Sequence, residues 1–326
     1  MQATRREFLA VAASLALGAR ATRARSDTKP SDGPAAFDQV WELVRDKFYD
    51  PRLRGLDWEA IRARYRPEAE AASSPDDLAR VINAMLANLG ASHTRYYTPD
   101  EPAFYQLADI FSGALRHRGL TGVFPGGEVT YPGIGIFTKV EDKGRTFVTG
   151  VIGGAPAAQA GLLLGDEILS ADDRPFHPVE SFRGKVGTPV SLLVRHAPDA
   201  TPTPVGVTAS ELHPNDMFLN GLKSSARIVV AGAARIGYVH VWSYASQRYQ
   251  GALEELIAEG PLKDADALVW DLRDGWGGAQ PEYLDLFNPR SPTMKVTARD
   301  GETGLVGVKW RKPVAALING GTRSGK

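Results

Sequence analysis

The sequence predicts an α+β multidomain protein. Three observations carry that class: apolar residues at three- and four-residue spacing through 36–90, short β-rich runs between turn residues from 115 to 212, and alternating strand-like and helix-like segments from 216 to 326. The composition suits packed domains. Of 326 residues, 43% are hydrophobic and 23% charged, which supplies cores and argues against disorder. The 38 basic and 38 acidic side chains cancel, leaving no electrostatic footprint for nucleic acid as a partner. The absence of cysteine excludes disulfides, thiolate metal sites and cysteine nucleophiles.

Residues 1–26 carry Arg5-Arg6, then Phe8-Leu9, a modest apolar run to Gly18, and the small-residue site Ala19-Arg20-Ala21. That order of charge, apolar stretch and cleavage site is expected of a twin-arginine export signal, which directs the mature chain to the periplasm or another extracytoplasmic space. The run is far shorter than the roughly 20 residues of a membrane span, and no other segment is a candidate to span a membrane. The polar, Pro- and Gly-containing stretch 27–35 reads as a linker.

A helical domain is expected over 36–100. Phe37, Val40, Trp41, Val44 and Phe48 form its first apolar stripe. A second helix starts at Asp57 and is stopped or kinked by Pro67. A third follows the capping residues Ser73-Ser74-Pro75 and ends at Gly90. The stretch from there to about 130 gives no clear division. Residues 115–212 form a compact domain of short strands, among them GIGIFTKV, RTFVTGVI, VSLLVRH and PVGVTAS, interrupted by the helix signal APAAQAG. Residues 216–326 show a βαβ rhythm, hence a largely parallel sheet, and sites in such sheets form beyond the carboxyl ends of strands. Two loops sit there: RDGWGG after ALVWDL, and GGTRSGK after VAALIN.

The second loop reads in two ways. Gly320 to Lys326 fits a phosphate-binding loop, G-x-x-x-x-G-K, lacking its final Ser/Thr. It also fits a nucleophilic Ser324 on the turn after a buried strand. A nucleotide loop usually opens its domain, whereas this one comes last, which favours the nucleophile. Upstream, glycines in DLRDGWGG can turn backbone N–H groups toward one point, as an oxyanion hole requires. Gly275 reads more simply as a turn residue, and Asp271 with Arg273 as an anchor for the loop. His93, flanked by Ser92 and Thr94 after a helix-ending glycine, stands out among the six histidines. Local chemistry leaves it open between a functional and a structural role. His117, His177, His196, His213 and His240 receive no assignment.

In the middle domain, PGIGI (Pro132 to Ile136) precedes GAPAAQAGLLLGDEILSADDRPF, a combination that resembles a PDZ domain. The resemblance implies that Gly133, Ile134, Gly135 and Ile136 offer backbone N–H groups to a peptide's terminal carboxylate while the peptide adds to a sheet edge. Gly165-Asp166 reads as a turn. Taken in order, LGASHTRYYTP, the PDZ-like segment, and RIGYVHVWSY, ALVWDLRDGWGG and VAALINGGTRSGK resemble the C-terminal processing, or tail-specific, serine proteases, a superfamily shared with the tricorn core proteases. The resemblance covers nearly the whole chain after residue 26. It implies an α/β protease core over 216–326 of the ClpP/crotonase-like type, and a serine peptidase (a hydrolase) needing no cofactor and no metal. Its partners would be protein or peptide substrates held by their C-termini.

The same resemblance implies Ser324 as nucleophile, with Gly325 and either Gly277 or Gly278 as oxyanion donors. The base is left between two routes. In the tricorn-like branch it is His93, oriented by Ser92 and by a glutamate further along; in the tail-specific branch it is a downstream lysine. Lys326 is expected to point away from Ser324 at a helix start. Because the sequence stops inside the nucleophile motif, it is expected to be a fragment of a longer protein with an incomplete core. Two other functions stay open: a catalytically inactive PDZ peptide-binding protein of the envelope, and a nucleotide-binding enzyme of the phosphate-loop type.

Overall fold

In the computed structural model, residues 33–112, 124, 127–141, 144–290, 292 and 294–326 are described. The expected export signal, all but the end of the expected linker, and His117 lie outside the described residues. The chain divides into two compact units. One comprises the residues up to Tyr131 with Pro178–Glu180; the other comprises Pro132–His177 and Ser181–Lys326.

The first unit is helical. Its first helix, α1 (Gly33–Lys47), buries Phe37, Val40, Trp41 and Val44, the stripe that an i, i+3, i+4, i+7 pattern places on one face. It begins inside the stretch read as linker. The next helix, α2 (Trp58–Glu70), starts where the Asp57 carboxylate accepts from the Ala60 N–H, satisfying a donor the first turn leaves unpaired. Pro67 neither stops this helix nor falls at its centre; it sits in the last turn, where Ala69 is buried and the Pro67 carbonyl accepts from Ala71. Helix α3 (Pro75–Ala87) opens on the Ser74 hydroxyl, which accepts from Asp77, with Pro75 in the first turn. Its Val81, Ile82, Met85 and Leu86 complete the core. Gly90, at φ +57°, takes the chain out of the helical region. Trp41 and Trp58 tie α1 to α2 reciprocally: each indole N–H donates to the other's carbonyl, at 2.9 and 3.1 Å. Helix α4 (Pro102–Ile110) follows. Among the described residues no helix is long and apolar enough to cross a membrane.

The second unit holds two sheets that matter for the site. After β1 (Tyr131–Gly133), the strands β2 (Ile136–Val140), β3 (Thr146–Val151), β4 (Glu167–Ala171), β5 (Pro189–Arg195) and β6 (Thr203–Thr208) form an antiparallel sheet in chain order, so β2 lies at an edge. The short helix α5 (Pro156–Gln159) braces the glycine loop before β2: the Ala157 N–H donates to the Ile134 carbonyl at 2.9 Å, and the Ile152 N–H to the Gly135 carbonyl at 3.0 Å. Gly135 has φ +76°, and a Cβ there would overlap the Ala155 methyl. Asp166 accepts from the Leu163 N–H and bonds the His196 ring, both at 2.8 Å, which closes the Gly165 turn.

The strand β7 (Ser210–Leu212) and helix α6 (Pro214–Ser225) lead to the second sheet. Its order is β13-β10-β9-β8, built from β8 (Arg227–Ala231), β9 (Ala234–His240), β10 (Ala267–Asp271) and β13 (Val314–Leu317). β9, β10 and β13 run parallel, while β8 is antiparallel to β9. Helix α7 (Gln247–Ala258) makes the β9-to-β10 crossover, and a hairpin of β11 (Met294–Thr297) and β12 (Thr303–Val306) precedes β13. The two sheets meet through rings: Phe137 of β2 stacks on Phe218 of α6 and on Trp242, with interplanar angles of 13° and 9°.

Replacing Gly135 with alanine combines a left-handed backbone with an overlap at Ala155. Urea unfolding of Gly135→Ala is therefore expected to show a loss of about 2–4 kcal/mol; an unchanged midpoint would mean that the loop holds its shape by other means.

Candidate active site

The carboxyl ends of β10 and β13 place the two loops side by side. Their parallel register pairs Asp271 with Leu317, and the Leu272 N–H continues the ladder to the Leu317 carbonyl at 2.9 Å. Asn319 then ties the loops. Its Oδ1 accepts from the Asp274 N–H at 3.1 Å and from the Gly321 N–H at 2.9 Å, and its Nδ2 donates to the Asp274 carboxylate at 3.1 Å. The Thr322 hydroxyl donates to the Leu272 carbonyl at 2.8 Å.

Beyond these ties the backbones touch. The Ala279 N–H donates to the Gly325 carbonyl at 2.7 Å. A Cβ on Gly277 would lie 2.7 Å from Ser324 Cβ and 2.9 Å from the Gly325 nitrogen. A Cβ on Gly325 would lie 2.8 Å from the Ala279 carbonyl. Only glycine allows that approach. Ser324, Gly325, Gly277 and Gly278 are thus brought together. Ser324 is exposed and stands at φ +63°, a left-handed conformation that costs a non-glycine residue about 1–2 kcal/mol. Gly320 and Gly321 form a turn ahead of it.

Ser92 and His93 lie in the helical unit, both exposed, with Ser92 Oγ 2.7 Å from His93 Nδ1.

Beneath the loops lies a polar network that reading the residues singly did not reveal. Asp271 is fully buried. Arg273 grips its carboxylate with Nε and Nη2 at 2.9 and 2.6 Å, and the Arg273 N–H adds a third bond at 3.0 Å. The Tyr238 hydroxyl donates to it at 2.8 Å. Burial alone would raise the Asp271 pKa, but the Arg273 bonds override it and hold it at about 2. Burial raises Tyr238 to about 12, with Asp271 adding to the effect. His240 pairs with Asp271 in the β9–β10 register. Its ring stacks on Trp242 at 3.6 Å, and its Nε2 lies 2.8 Å from the Arg273 carbonyl. Burial lowers the His240 pKa to about 4, against the opposing pull of the Arg273 carbonyl and Asp271. Lys326 Nζ reaches the carbonyls of Arg273 and Asp274, and burial lowers its pKa to about 7. The signal was present in the register: aligning YVHVW with VWDLR as parallel neighbours puts His240 beside Asp271.

Gly275, read as a turn residue, has φ +72°, and a Cβ there would run into the Trp242 carbonyl. That carbonyl accepts from the Trp276 N–H at 2.8 Å. Among the described residues no cluster of three or more His, Cys, Asp or Glu is arranged to hold a metal ion.

Comparison with known proteins bears out the resemblance read from the sequence. Residues 33–87 match the Tricorn protease C1 domain, 132–197 a PDZ domain and 235–326 Peptidase family S41. The chain is 27% identical to carboxyl-terminal-processing peptidase 3, chloroplastic, of Arabidopsis thaliana, over 97% of this chain and 60% of the relative. It is 24% identical to the carboxyl-terminal-processing protease of Synechocystis, over 88% and 64%, and 30% identical to a putative tricorn protease homolog 2 of Streptomyces coelicolor, over 82% and 24%. The chain thus spans about 60% of the length of the first of these curated relatives. Among solved structures it is similar to the photosystem II D1 C-terminal processing protease at 21% identity, with a TM-score of 0.45, over 90% of this chain and 76% of that one.

The lowered His240 pKa has a consequence for stability. Between about pH 6.5 and pH 4 the unfolded chain takes up a proton on His240 that the folded chain refuses. This contribution is therefore complete above pH 6.5 and lost as the pH falls toward 4, amounting to about 3 kcal/mol. Urea unfolding across that range is expected to show the loss in the native protein and a flatter profile in His240→Phe. An equally steep profile in the variant would assign the loss to other groups.

Proposed function

We propose that this chain, which carries PDZ and Peptidase family S41 segments in that order, is part of an exported serine endopeptidase that captures protein C-termini. The observation that carries the reading is the exposed Ser324, held at φ +63° against the Gly277-Gly278 segment. A serine on a strained turn after a strand, with backbone amides of a facing loop beside it, is what acyl transfer requires. A phosphate loop usually opens its domain, whereas residues 320–326 follow β8, β9, β10 and β13.

In the proposed reaction the Ser324 hydroxyl attacks the scissile carbonyl and its proton passes to the base. The carbonyl oxygen takes up negative charge, stabilised by the Gly325 N–H and that of Gly277 or Gly278, each worth about 3 kcal/mol. The C–N bond breaks, the base returns the proton to the leaving amine, and the ester on Ser324 is cleaved by water activated in the same way. His93 is the proposed base. For its Nε2 to accept a proton, its Nδ1 must carry one and donate it to Ser92 Oγ, 2.7 Å away, which as a hydroxyl oxygen can accept it. Substrate capture would use the free edge of β2, with the loop Gly133, Ile134, Gly135 and Ile136 receiving the terminal carboxylate. Residues 1–26 are proposed to be removed after twin-arginine export; retention of a reporter fused to them in the cytoplasm would count against this.

Full-length Ser324→Ala is expected to lose peptide cleavage by at least about 10⁴-fold while binding a peptide with a free C-terminus as the native protein does. Undiminished cleavage would overturn the nucleophile; no cleavage by the native protein, with peptide binding intact, would make this a binding protein. His93→Gln is expected to reduce turnover by at least about 10²-fold. Full turnover in that variant would give the base to a lysine downstream.

A further inference from the structure

The loop bearing Gly277 and Gly278 is aimed by one peptide unit, Arg273–Asp274. Two non-extended residues follow it in succession, Asp274 at φ +54° and Gly275 at φ +72°. Asp274 carries a side chain in the left-handed region, so the loop is strained at the point where it leaves β10. A flip of the preceding peptide plane would take Asp274 out of that region and turn away the N–H and carbonyl that hold the loop in place.

Both ends of that peptide unit are held. Its N–H, on Asp274, donates to Asn319 Oδ1 at 3.1 Å. Its carbonyl, on Arg273, meets His240 Nε2 at 2.8 Å, with Lys326 Nζ further off at 3.4 Å. The carbonyl can only accept, so Nε2 must carry the proton and donate. The imidazole has little freedom. Its face lies 3.6 Å from the Trp242 ring, its backbone N–H donates to Ser225 Oγ at 2.8 Å, and its Nδ1 lies 3.9 Å from the Asp271 carboxylate. Asp271 is itself fixed by Arg273 and Tyr238. The histidine is thus a donor on strand β9 held in place by its own packing.

We propose that His240 is a positioning residue: with Asn319 it locks the Arg273–Asp274 peptide plane in the orientation that sets Gly277 and Gly278 against Ser324. Its relevance to rate rests on Ser324 being the nucleophile; its effect on the loop does not. The role belongs to the donor and not to the ring, and this separates it from simple core packing.

The test uses the full-length protein and an alkyl fluorophosphonate, which labels an activated serine. His240→Phe keeps a ring on Trp242 but removes the donor; His240→Gln removes the ring but restores an N–H donor. Thermal unfolding checks that both fold. His240→Phe is expected to label Ser324 at a maximal rate at least about tenfold lower, with the half-saturating probe concentration within about twofold of native. His240→Gln is expected to recover most of the rate. Amide hydrogen exchange is followed in parallel at Asp274 and Trp276, expected to speed up in His240→Phe and not in His240→Gln. Equal labelling and exchange in folded His240→Phe would overturn the proposal, as would a glutamine variant as impaired as the phenylalanine one. If the native protein takes no label, the nucleophile reading fails and exchange alone decides: faster exchange in His240→Phe alone upholds the lock on the loop, and unchanged exchange overturns it.

Discussion

The site depends on two loops being able to approach each other at backbone distance. The Ala279 N–H reaches the Gly325 carbonyl, and that bond is possible only because Gly277 and Gly325 present no side chain across the gap. Everything else about Ser324 follows from this contact. The left-handed backbone of Ser324 costs free energy that an unsupported turn would release by relaxing. Here the facing glycine segment, Asn319 and the Thr322 hydroxyl together oppose that relaxation. The parallel pairing of β10 with β13 brings the loops to the same end of the sheet, where parallel sheets build their sites.

A second layer supports the first. Asp271 has no exposure to water, yet stays ionised because Arg273, Tyr238 and a backbone N–H complete its hydrogen bonds. A buried carboxylate lacking such partners would take up a proton instead. His240 is the converse case: burial keeps it neutral, which leaves one ring N–H to give to the Arg273 carbonyl. The Trp242 ring joins this layer to β2 of the other sheet through Phe137. The β2 edge and the loop base therefore share one continuous stack of rings.

What the sequence made legible was local. The helix stripes in α1 and α3, the caps Asp57 and Ser74, the glycine loop before β2, and the loops after β10 and β13 all announce themselves within a dozen residues. Ser324 with Gly277, Gly278 and Gly325 could be named because each sits in a short motif at a strand end. What stayed hidden was set by register. His240 has no motif around it, and only the parallel register sets it beside Asp271 and the Arg273 carbonyl. The contacts of Lys326 Nζ with the carbonyls of Arg273 and Asp274 likewise have no local signal. The antiparallel β8 and the β11–β12 hairpin were missed for the same reason: nothing local distinguishes an added edge strand or an inserted hairpin from the βαβ rhythm around it.

The central claim, that the two loops form one mutually supporting unit, is tested most directly by Gly277→Ala, which puts a methyl 2.7 Å from Ser324 Cβ. Amide hydrogen exchange in that variant should show protection falling together at Trp276 and Ala279 in one loop and at Gly321 and Thr322 in the other, with the strands β9 and β10 unchanged. Protection lost in one loop alone, or in neither, would contradict the account.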